Sequence, residues 1–170
     1  MDWREITLAR RLLEGERGVI VRDWGGRLPI VLAYPNSYAV GMSSLAIHGL
    51  YRWLNALPGV ICERAFAWLG RRKEPRASLL TLESQRPVRE AAALAISVSF
   101  ELDYMYVLEM LRRAPLPLRA VDRADGDPLV ILGGPAVGAN PAPLAPVADA
   151  IVIGEAEPIL ADLVNVLREG

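Results

Sequence analysis

The fold is decided by residues 28–45, LPIVLAYPNSYAVGMSSL. The apolar run LPIVLAY at 28–34 stops at a proline, passes through a short polar loop and continues as an amphipathic pattern. A continuous apolar run of this length is typical of a strand buried on both faces. The stretch therefore predicts a strand, a loop and a helix, an arrangement whose loop often holds a ligand.

Three further apolar runs predict buried strands. They are AALAISVSF at 92–100, PLVILGG at 128–134 and DAIVIG at 149–154. A weaker run, GVICERAF at 59–66, alternates in part between apolar and polar residues. That alternation indicates a strand nearer the edge of a sheet.

Helical patterns separate these strands, at 3–15, 43–57, 102–114 and 156–170. Ser43 is a candidate N-cap for the second helix. Apolar residues recur at steps of three and four in the second and third helices, namely Ala46, Leu50, Trp53, Leu54 and Leu57, and Leu102, Met105, Leu108 and Leu111. These stripes are expected to face the core. The stretch RGVIVRDWGGR at 17–27 predicts a loose hairpin or edge strand.

Strands that alternate with helices indicate an α/β fold. We predict a three-layer, open, parallel five-stranded sheet of flavodoxin-like or Rossmann-like type, with strand order 2-1-3-4-5. Residues 1–27 are predicted to form an N-terminal helix and edge segment, and residues 28–170 the α/β domain. Ligands of such sheets bind beyond the carboxyl ends of the strands, where the strand order reverses.

Composition excludes several classes of protein. The chain has 170 residues, 52% of them hydrophobic, which does not fit a disordered chain. Its net charge of −1 offers no clear nucleic-acid surface. The single cysteine, Cys62, cannot form an internal disulfide. No signal peptide and no run of about 20 apolar residues is present, so a cytoplasmic domain without a membrane span is predicted.

Three segments are expected to meet in one crevice where the strand order reverses. They are PNSYAVGM at 35–42, SVSFE at 97–101 and GGPAVG at 133–138. Ser97 and Ser99 alternate with Val98, so both hydroxyls should face the same side of the sheet. The glycine pair at 133–134 removes side chains from one wall. Small residues at all three segments favour a pocket, although each feature alone is more often structural.

Familiar motifs for other chemistry are missing. The sequence contains no G-x-G-x-x-G, no G-x-x-x-x-G-K-[ST] and no G-x-S-x-G. The only histidine, His48, lies on a predicted helix, where packing or solvation is its commonest role. Acidic residues near the crevice are Glu101, Asp103, Glu155 and Glu157. Capping of the last helix is the favoured role for Glu157.

The three segments together resemble the cobalamin-binding module. That family carries D-x-H-x-x-G after strand 1, S-x-[LT] at strand 3 and G-G after strand 4. Here N-S-Y-A-V-G at 36–41 places Asn36, Tyr38 and Gly41 at the D, H and G positions, S-V-S stands at 97–99, and the glycine pair is Gly133–Gly134.

A wider resemblance covers almost the whole chain, through 32–55, CERAF at 62–66, 82–111 and 127–158. In order and spacing these stretches resemble the N-terminal domain of cobalamin-binding-type radical S-adenosylmethionine (SAM) proteins. The resemblance implies a downstream radical SAM domain, whose C-x-x-x-C-x-x-C motif binds a [4Fe–4S] cluster and S-adenosylmethionine. We expect that domain to follow position 170 and this chain alone not to be catalytic, while its parent protein is a radical SAM enzyme.

The resemblance also implies a role for the loop after strand 1. In the family the histidine is the lower ligand of cobalt, oriented by the aspartate, which is usual for a metal-bound imidazole. Tyr38 and Asn36 cannot reproduce that pair, so cobalamin is expected base-off, without a histidine ligand. Tyr38 is then either an aromatic plate beneath the corrin or an anchor of the core or loop. The implied cofactor-binding residues are Asn36, Ser37, Tyr38, Gly41, Met42, Ser97, Ser99, Gly133, Gly134 and Pro135, with Glu101, Asp103 and Glu155 at the mouth; no catalytic or metal-ligating residue is implied.

Two alternatives remain open. In the first, the domain binds no cofactor and docks a radical SAM domain or a macromolecular substrate. Trp3, Trp24 and Trp68, which lie in segments without an obvious core role, would then contribute exposed apolar surface. In the second, weaker alternative the domain binds a small molecule in the manner of flavodoxin. The substrate, the reaction and the oligomeric state are not encoded in any recognisable motif.

Overall fold

The computed structural model describes residues 3–70 and 78–169. Strands in these ranges are β1 (Leu28–Ser37), β2 (Val60–Trp68), β3 (Ala93–Ser97), β4 (Leu129–Gly133) and β5 (Ala150–Ile151). Helices in these ranges are α1 (Trp3–Glu14), α2 (Tyr38–Gly41), α3 (Leu45–Ala56), α4 (Tyr104–Arg113), α5 (Pro135–Ala139) and α6 (Leu160–Glu169). Gly170, in the last predicted helix, lies outside the described residues.

The strands form one parallel sheet of order β2-β1-β3-β4-β5. The predicted fold class, topology and edge position of β2 are thereby confirmed. Because β1 and β3 are neighbours and the chain leaves β1 toward β2, the strand order reverses between β1 and β3. The carboxyl ends of β1, β3 and β4 therefore lie side by side. The ends of β1 and β4, which are two strand spacings apart, are separated by roughly 10 Å.

Helices cover both faces of the sheet. On one face the buried side chains of α1, α3 and α6 pack with Ile30 and Leu32 of β1. On the other face α4 and α5 pack with Val31 and Ala33. Successive side chains of a strand point to opposite faces, which explains why LPIVLAY is apolar throughout.

The edge strand β2 is buried along almost its whole length, from Val60 to Ala67. Its partial alternation comes from Glu63 and Arg64, whose exposed fractions are only 1% and 2%. Trp24 Nε1 donates to Glu63 Oε1 at 2.8 Å, and Arg64 pairs with Glu83 at 2.7 Å between Nε and Oε1. Buried charges persist when they are paired in this way.

The helices turn different faces to the core than their apolar stripes predicted. In α3 the buried residues are Ile47, Tyr51, Leu54 and Asn55, while Trp53 is 46% exposed. This is a rotation of about one residue, or roughly 100°. The prediction failed because the polar Asn55 and Tyr51 lie on the true core face. In α4, Val107, Met110 and Leu111 are buried, whereas Leu102 and Met105 are exposed.

The reason in α4 is its late start. A 3₁₀ turn at Glu101–Asp103 precedes the helix, which begins at Tyr104 and so has a different phase. Ser43 is likewise not the N-cap of α3, since α3 begins at Leu45 after Ser44. The Ser43 hydroxyl donates instead to the carbonyl of Val40 at 2.7 Å.

The predicted hairpin or edge strand at 17–27 is not present, because this segment contains no strand. It runs as irregular chain and is fixed by side chains, among them Trp24, which is 8% exposed and belongs to the core. The expectation that Trp24 has no core role was therefore wrong. Trp3 is 71% exposed, and Trp68 is partly buried against Tyr106, with ring centroids 5.1 Å apart.

Within residues 3–70 and 78–169, every helix is too short or too polar to traverse a lipid bilayer.

Candidate functional site

A cavity of about 650 Å³ opens at the carboxyl edge of the sheet. Its volume lies within the range of about 300–1,000 Å³ usual for ligand pockets. The walls come from the start of α3, the end of β3, the start of α5 and the loop after β5. The lining residues are Ser44, Ala46, Leu50, Ser97, Ser99, Gly134, Pro135, Gly138, Ile153, Gly154, Glu155, Ala156 and Glu157.

A narrower slot of about 80 Å³ lies beside this cavity, between the sheet and helices α3 and α6. The slot and the cavity share Leu50, Ser97, Gly134, Gly154 and Ala156. The remaining lining of the slot is aliphatic apart from Gly133 and consists of Ile30, Leu32, Leu54, Ala95, Ile96, Ile131, Gly133, Val152, Leu160, Leu163 and Leu167. An apolar slot that is continuous with a wider cavity suits a ligand with a flat, apolar end.

Ser97 lies where the slot meets the cavity. It is the last residue of β3 and only 8% exposed. Within the described ranges, its hydroxyl has no hydrogen-bond partner among the protein side chains and backbone groups. A serine hydroxyl can both donate and accept a hydrogen bond, so one that lines two cavities without a protein partner is available to a ligand.

The glycine pair shapes the wall beside Ser97, which is paired with Gly133 on the neighbouring strand. Gly134 has φ +101°, and a Cβ atom at this position would lie 2.5 Å from the carbonyl oxygen of Val98. Only glycine therefore allows α5 to begin here, where the amide of Ala136 donates to Val98 O at 3.2 Å. Gly133 is less constrained, since its Cβ would meet Val152 at 3.6 Å.

Six of the predicted site residues lie together in the cavity and slot: Ser97, Ser99, Gly133, Gly134, Pro135 and Glu155. Of the loop after β5 only Glu155 was a predicted site residue, and the sequence did not indicate Ile153, Gly154 and Ala156, nor Ser44 before α3. A signal for the loop was present in GEAEP at 154–158. Its Glu157 was expected to cap the last helix, because an acidic residue at a helix start needs no ligand to explain it.

The loop after β1 contacts a different part of the molecule. The Tyr38 hydroxyl donates to Glu16 Oε1 at 2.8 Å, and its ring packs edge-on against Phe66 of β2, with centroids 5.3 Å apart. Arg64 Nη1 contacts Met42 Sδ at 3.2 Å. Two of the three predicted segments thus form the cavity, and Tyr38 and Met42 of the third are turned toward β2.

Other predicted residues of this loop are held locally. Asn36 Nδ2 donates to Asp103 Oδ1 at 2.9 Å, and Ser37 Oγ accepts from the amide of Val40 at 3.3 Å and caps α2. Gly41 packs against Phe66, whose Cε1 would lie 2.5 Å from an added Cβ. Glu101 is exposed in the 3₁₀ turn before α4.

The lining of the cavity carries a small negative charge. Among the described residues that line it, the charged ones are Glu155 and Glu157, and both are exposed. No group of three or more His, Cys, Asp or Glu side chains within residues 3–70 and 78–169 is arranged to hold a metal ion. His48 is exposed, and its Nε2 contacts the carbonyl of Met42 at 2.8 Å.

Burial and hydrogen bonding shift the pKa of two predicted residues. Burial raises the pKa of Tyr38 to about 12, and the hydrogen bond to Glu16 acts in the same direction. The phenol is therefore neutral at physiological pH. Burial also raises the pKa of Asp103, against the hydrogen bond from Asn36.

Comparison with known proteins identifies the family. The family model described as "Radical SAM proteins, N-terminal" matches residues 46–170. A search of curated proteins and a search of solved structures each gave no match. The matched stretch contains β2 to β5, the cavity walls from Ala46 onward and the whole of α6. Since it spans well over half of the sequence, the chain belongs to the family of radical SAM proteins, as an N-terminal domain.

Proposed function

We propose that this chain is the cobalamin-binding N-terminal domain of a radical SAM iron–sulfur protein. The nucleotide tail of cobalamin would enter the slot between α3, α6 and the sheet. The corrin ring would lie in the wider cavity, and cobalt would be held base-off, without a protein ligand. The [4Fe–4S] cluster and S-adenosylmethionine would belong to a downstream domain of the same parent protein.

The observation that carries this proposal is the hydroxyl of Ser97, which has no hydrogen-bond partner among the described residues and lies at the mouth of an apolar slot. The tail of cobalamin ends in a flat, largely apolar base with a ring nitrogen. Such a base gains from burial among the aliphatic residues of the slot, and its nitrogen can accept the Ser97 hydrogen bond. Gly133 and Gly134 keep the adjoining wall free of side chains.

The side chains of the slot suit the base of the cobalamin tail chemically. The volume of the slot, however, requires a movement before the base can enter. The slot of about 80 Å³ is smaller than the roughly 150 Å³ of an apolar cavity that admits benzene. Entry of the base therefore requires α6 to move away from α3. Only Leu160 and Val164 of the side chains of this helix are buried, so few contacts oppose such a movement.

The position of Tyr38 supports the base-off state. Its hydroxyl is bonded to Glu16, and its ring packs on Phe66, so its contacts are those of a loop anchor and not of a plate beneath the corrin. A phenol with a pKa of about 12 is also a poor donor to a metal. Bound cobalamin would supply organometallic chemistry at cobalt, and the residues of this chain would hold and orient it.

A second candidate function is docking without a cofactor. Five large apolar side chains at the carboxyl edge of the sheet are more than half exposed: Leu45, Phe100, Leu102, Met105 and Ile153. A surface of this kind suits a protein partner, such as the radical SAM domain. The two functions are compatible, since a cofactor in the cavity would lie at the same edge.

A binding experiment tests the proposal. The chain is mixed with hydroxocobalamin, desalted, and its visible spectrum recorded; a retained base-off spectrum is expected. The variant Ala95→Leu fills the slot from the sheet and should abolish retention, whereas Ala56→Leu, the same change at an exposed position of α3, should not. Complete loss of colour from the folded, unmodified chain would refute cobalamin binding and leave the docking function.

A further inference from the structure

Tyr38 is fixed at both ends of its side chain. Its hydroxyl donates to Glu16 Oε1 at 2.8 Å. Its ring meets that of Phe66 at an interplanar angle of 74°, the edge-to-face arrangement that aromatic pairs prefer. Both contacts lie on the β2 side of β1, whereas the cavity lies over β3, β4 and the loop after β5.

Glu16, which receives the Tyr38 hydroxyl, is itself immobilised by Arg64. Glu16 Oε2 lies 2.8 Å from Arg64 Nη1, and the two side chains are only 11% and 3% exposed. Arg64 is held in turn by Glu83, at 2.7 Å between Nε and Oε1. Although burial opposes it, these carboxylates raise the pKa of Arg64, so the guanidinium stays charged. Buried charge-assisted bonds of this type are strong and directional.

The backbone that carries Glu16 is also tied to this side of the sheet. The Tyr51 hydroxyl accepts from the amide of Ile20 at 2.8 Å and donates to its carbonyl at 3.2 Å. Further along, Trp24 donates to Glu63. The segment between α1 and β1 therefore cannot carry Glu16 toward the cavity without breaking these hydrogen bonds, which are buried or partly buried.

The backbone of α2 is also fixed in position by its contacts. Gly41 lies so close to Phe66 that an added Cβ would overlap the ring at 2.5 Å. Ser37 caps the start of the helix through the amide of Val40. The side chain at position 38 thus leaves the backbone at a point that the packing has already set.

From these contacts we propose that Glu16, supported by Arg64, is a positioning residue that holds the side chain at position 38 against β2 and away from the cavity. The inference rests on the proposed function, and it deepens that function by giving the reason why cobalt meets no protein ligand. It assigns the choice of coordination state to a residue that precedes the sheet and touches neither the cavity nor the slot.

The test places a real cobalt ligand at position 38. Two proteins are prepared, the single variant Tyr38→His and the double variant Tyr38→His with Glu16→Ala. Both are loaded with cobalamin, and the cobalt is reduced to the Co(II) state. Electron paramagnetic resonance then reports an axial nitrogen as a three-line splitting. We expect no splitting in Tyr38→His alone and a three-line splitting in the double variant. Glu14→Ala replaces Glu16→Ala in a control, because Glu14 is an exposed glutamate of α1.

Two results would overturn the inference: splitting in Tyr38→His alone, or no splitting in a double variant that retains cobalamin. If the histidine variants do not retain it, the Tyr38 phenol is titrated by NMR in the unmodified chain and in Glu16→Gln. Its pKa should be about 12 in the first and lower in the second; equal values would refute the role of Glu16. Failure of the unmodified chain to bind cobalamin refutes the proposed function instead, and the same titration still tests the Glu16 contact.

Discussion

Asp103 is a residue whose pKa is altered by its surroundings. Its side chain is buried at the start of α4, its Oδ1 accepts from Asn36, and its Oδ2 has no partner within the described residues. A buried carboxylate with one free oxygen costs the fold stability in its charged form. The cost should be visible as a dependence of stability on pH.

We expect Asp103→Asn to raise the melting temperature at pH 7.5 and to flatten its dependence on pH. Burial raises the pKa of Asp103 above its ordinary value of 3.8. The folded chain therefore retains this proton to higher pH than the unfolded chain, and stability falls as pH rises through the raised pKa. The asparagine oxygen can still accept from Asn36. The melting temperature is measured from pH 4 to 8, with Asp125→Asn at an exposed position as the control. Parallel dependences of the melting temperature on pH in Asp103→Asn and in the unmodified chain would contradict this prediction.

Gly41 gives a second test at this scale. A Cβ at position 41 would lie 2.5 Å from Phe66, whereas nothing lies within 4 Å of one at Gly138. Gly41→Ala should therefore lower the free energy of unfolding by about 1–3 kcal/mol, the usual cost of overpacking. Gly138→Ala, in a helix with open space, should be neutral or slightly stabilising. Unfolding of both variants in urea measures these free energies. Equal free energies of unfolding in the two variants would show that α2 does not pack against Phe66 as described.

Residue-level predictions from sequence succeeded where a local pattern carried the information. Ser97 and Gly134 lie near the carboxyl ends of the predicted strand runs 92–100 and 128–134, and the structure brings them together. The contact of Tyr38 with Glu16 joins positions 22 apart in sequence, across the irregular segment 17–27 and the whole of β1. No periodicity signals such a contact. Trp24 was misjudged for the same reason, since its partner Glu63 lies 39 positions away.

At the scale of elements, β2 shows how an edge strand is protected. Its free edge is covered by side chains: Asn55 of α3 donates to the carbonyl of Cys62 at 2.9 Å and accepts from its amide at 3.1 Å. Glu83 accepts from the amide of Arg64 at 2.7 Å. Unpaired strand edges invite aggregation, and these contacts satisfy the backbone groups that a neighbouring strand would otherwise bind.

Asn55→Ala should therefore destabilise the protein by about 3 kcal/mol, because it leaves the amide and carbonyl of Cys62 buried without partners. The amide of Cys62 should also exchange with deuterium faster than amides of β3. Arg52→Ala, at an exposed position of the same helix, serves as the control and should change stability by no more than about 0.5 kcal/mol. Unchanged exchange at Cys62 would show that Asn55 does not protect this edge.

The elements themselves were predictable to different degrees. Apolar runs located all five strands of the described residues, although β5 is short and neither of its two residues is buried. The rotation of α3 was not predictable, because Tyr51 and Asn55 face the core for their hydrogen bonds and not for their hydropathy. The loop after β5 became part of the cavity only through the approach of α3, which a local pattern does not encode.

At the scale of the whole molecule, strand order fixes the site. The parallel order β2-β1-β3-β4-β5 brings the ends of β3 and β4 beside the loop after β5, and the slot follows from the gap between α3 and α6. The central claim is that this slot, with Ser97 at its mouth, binds the nucleotide tail of cobalamin. A ligand that lacks the tail should therefore bind less well.

The most direct measurement is equilibrium dialysis of the chain against cobalamin and against cobinamide, which has the same corrin ring and no nucleotide base. We expect at least about tenfold tighter binding of cobalamin, equivalent to about 1.4 kcal/mol, and a loss of about fivefold in Ser97→Ala for cobalamin alone. Equal affinity for the two ligands, with no effect of Ser97→Ala, would contradict the claim that the slot is the tail-binding site.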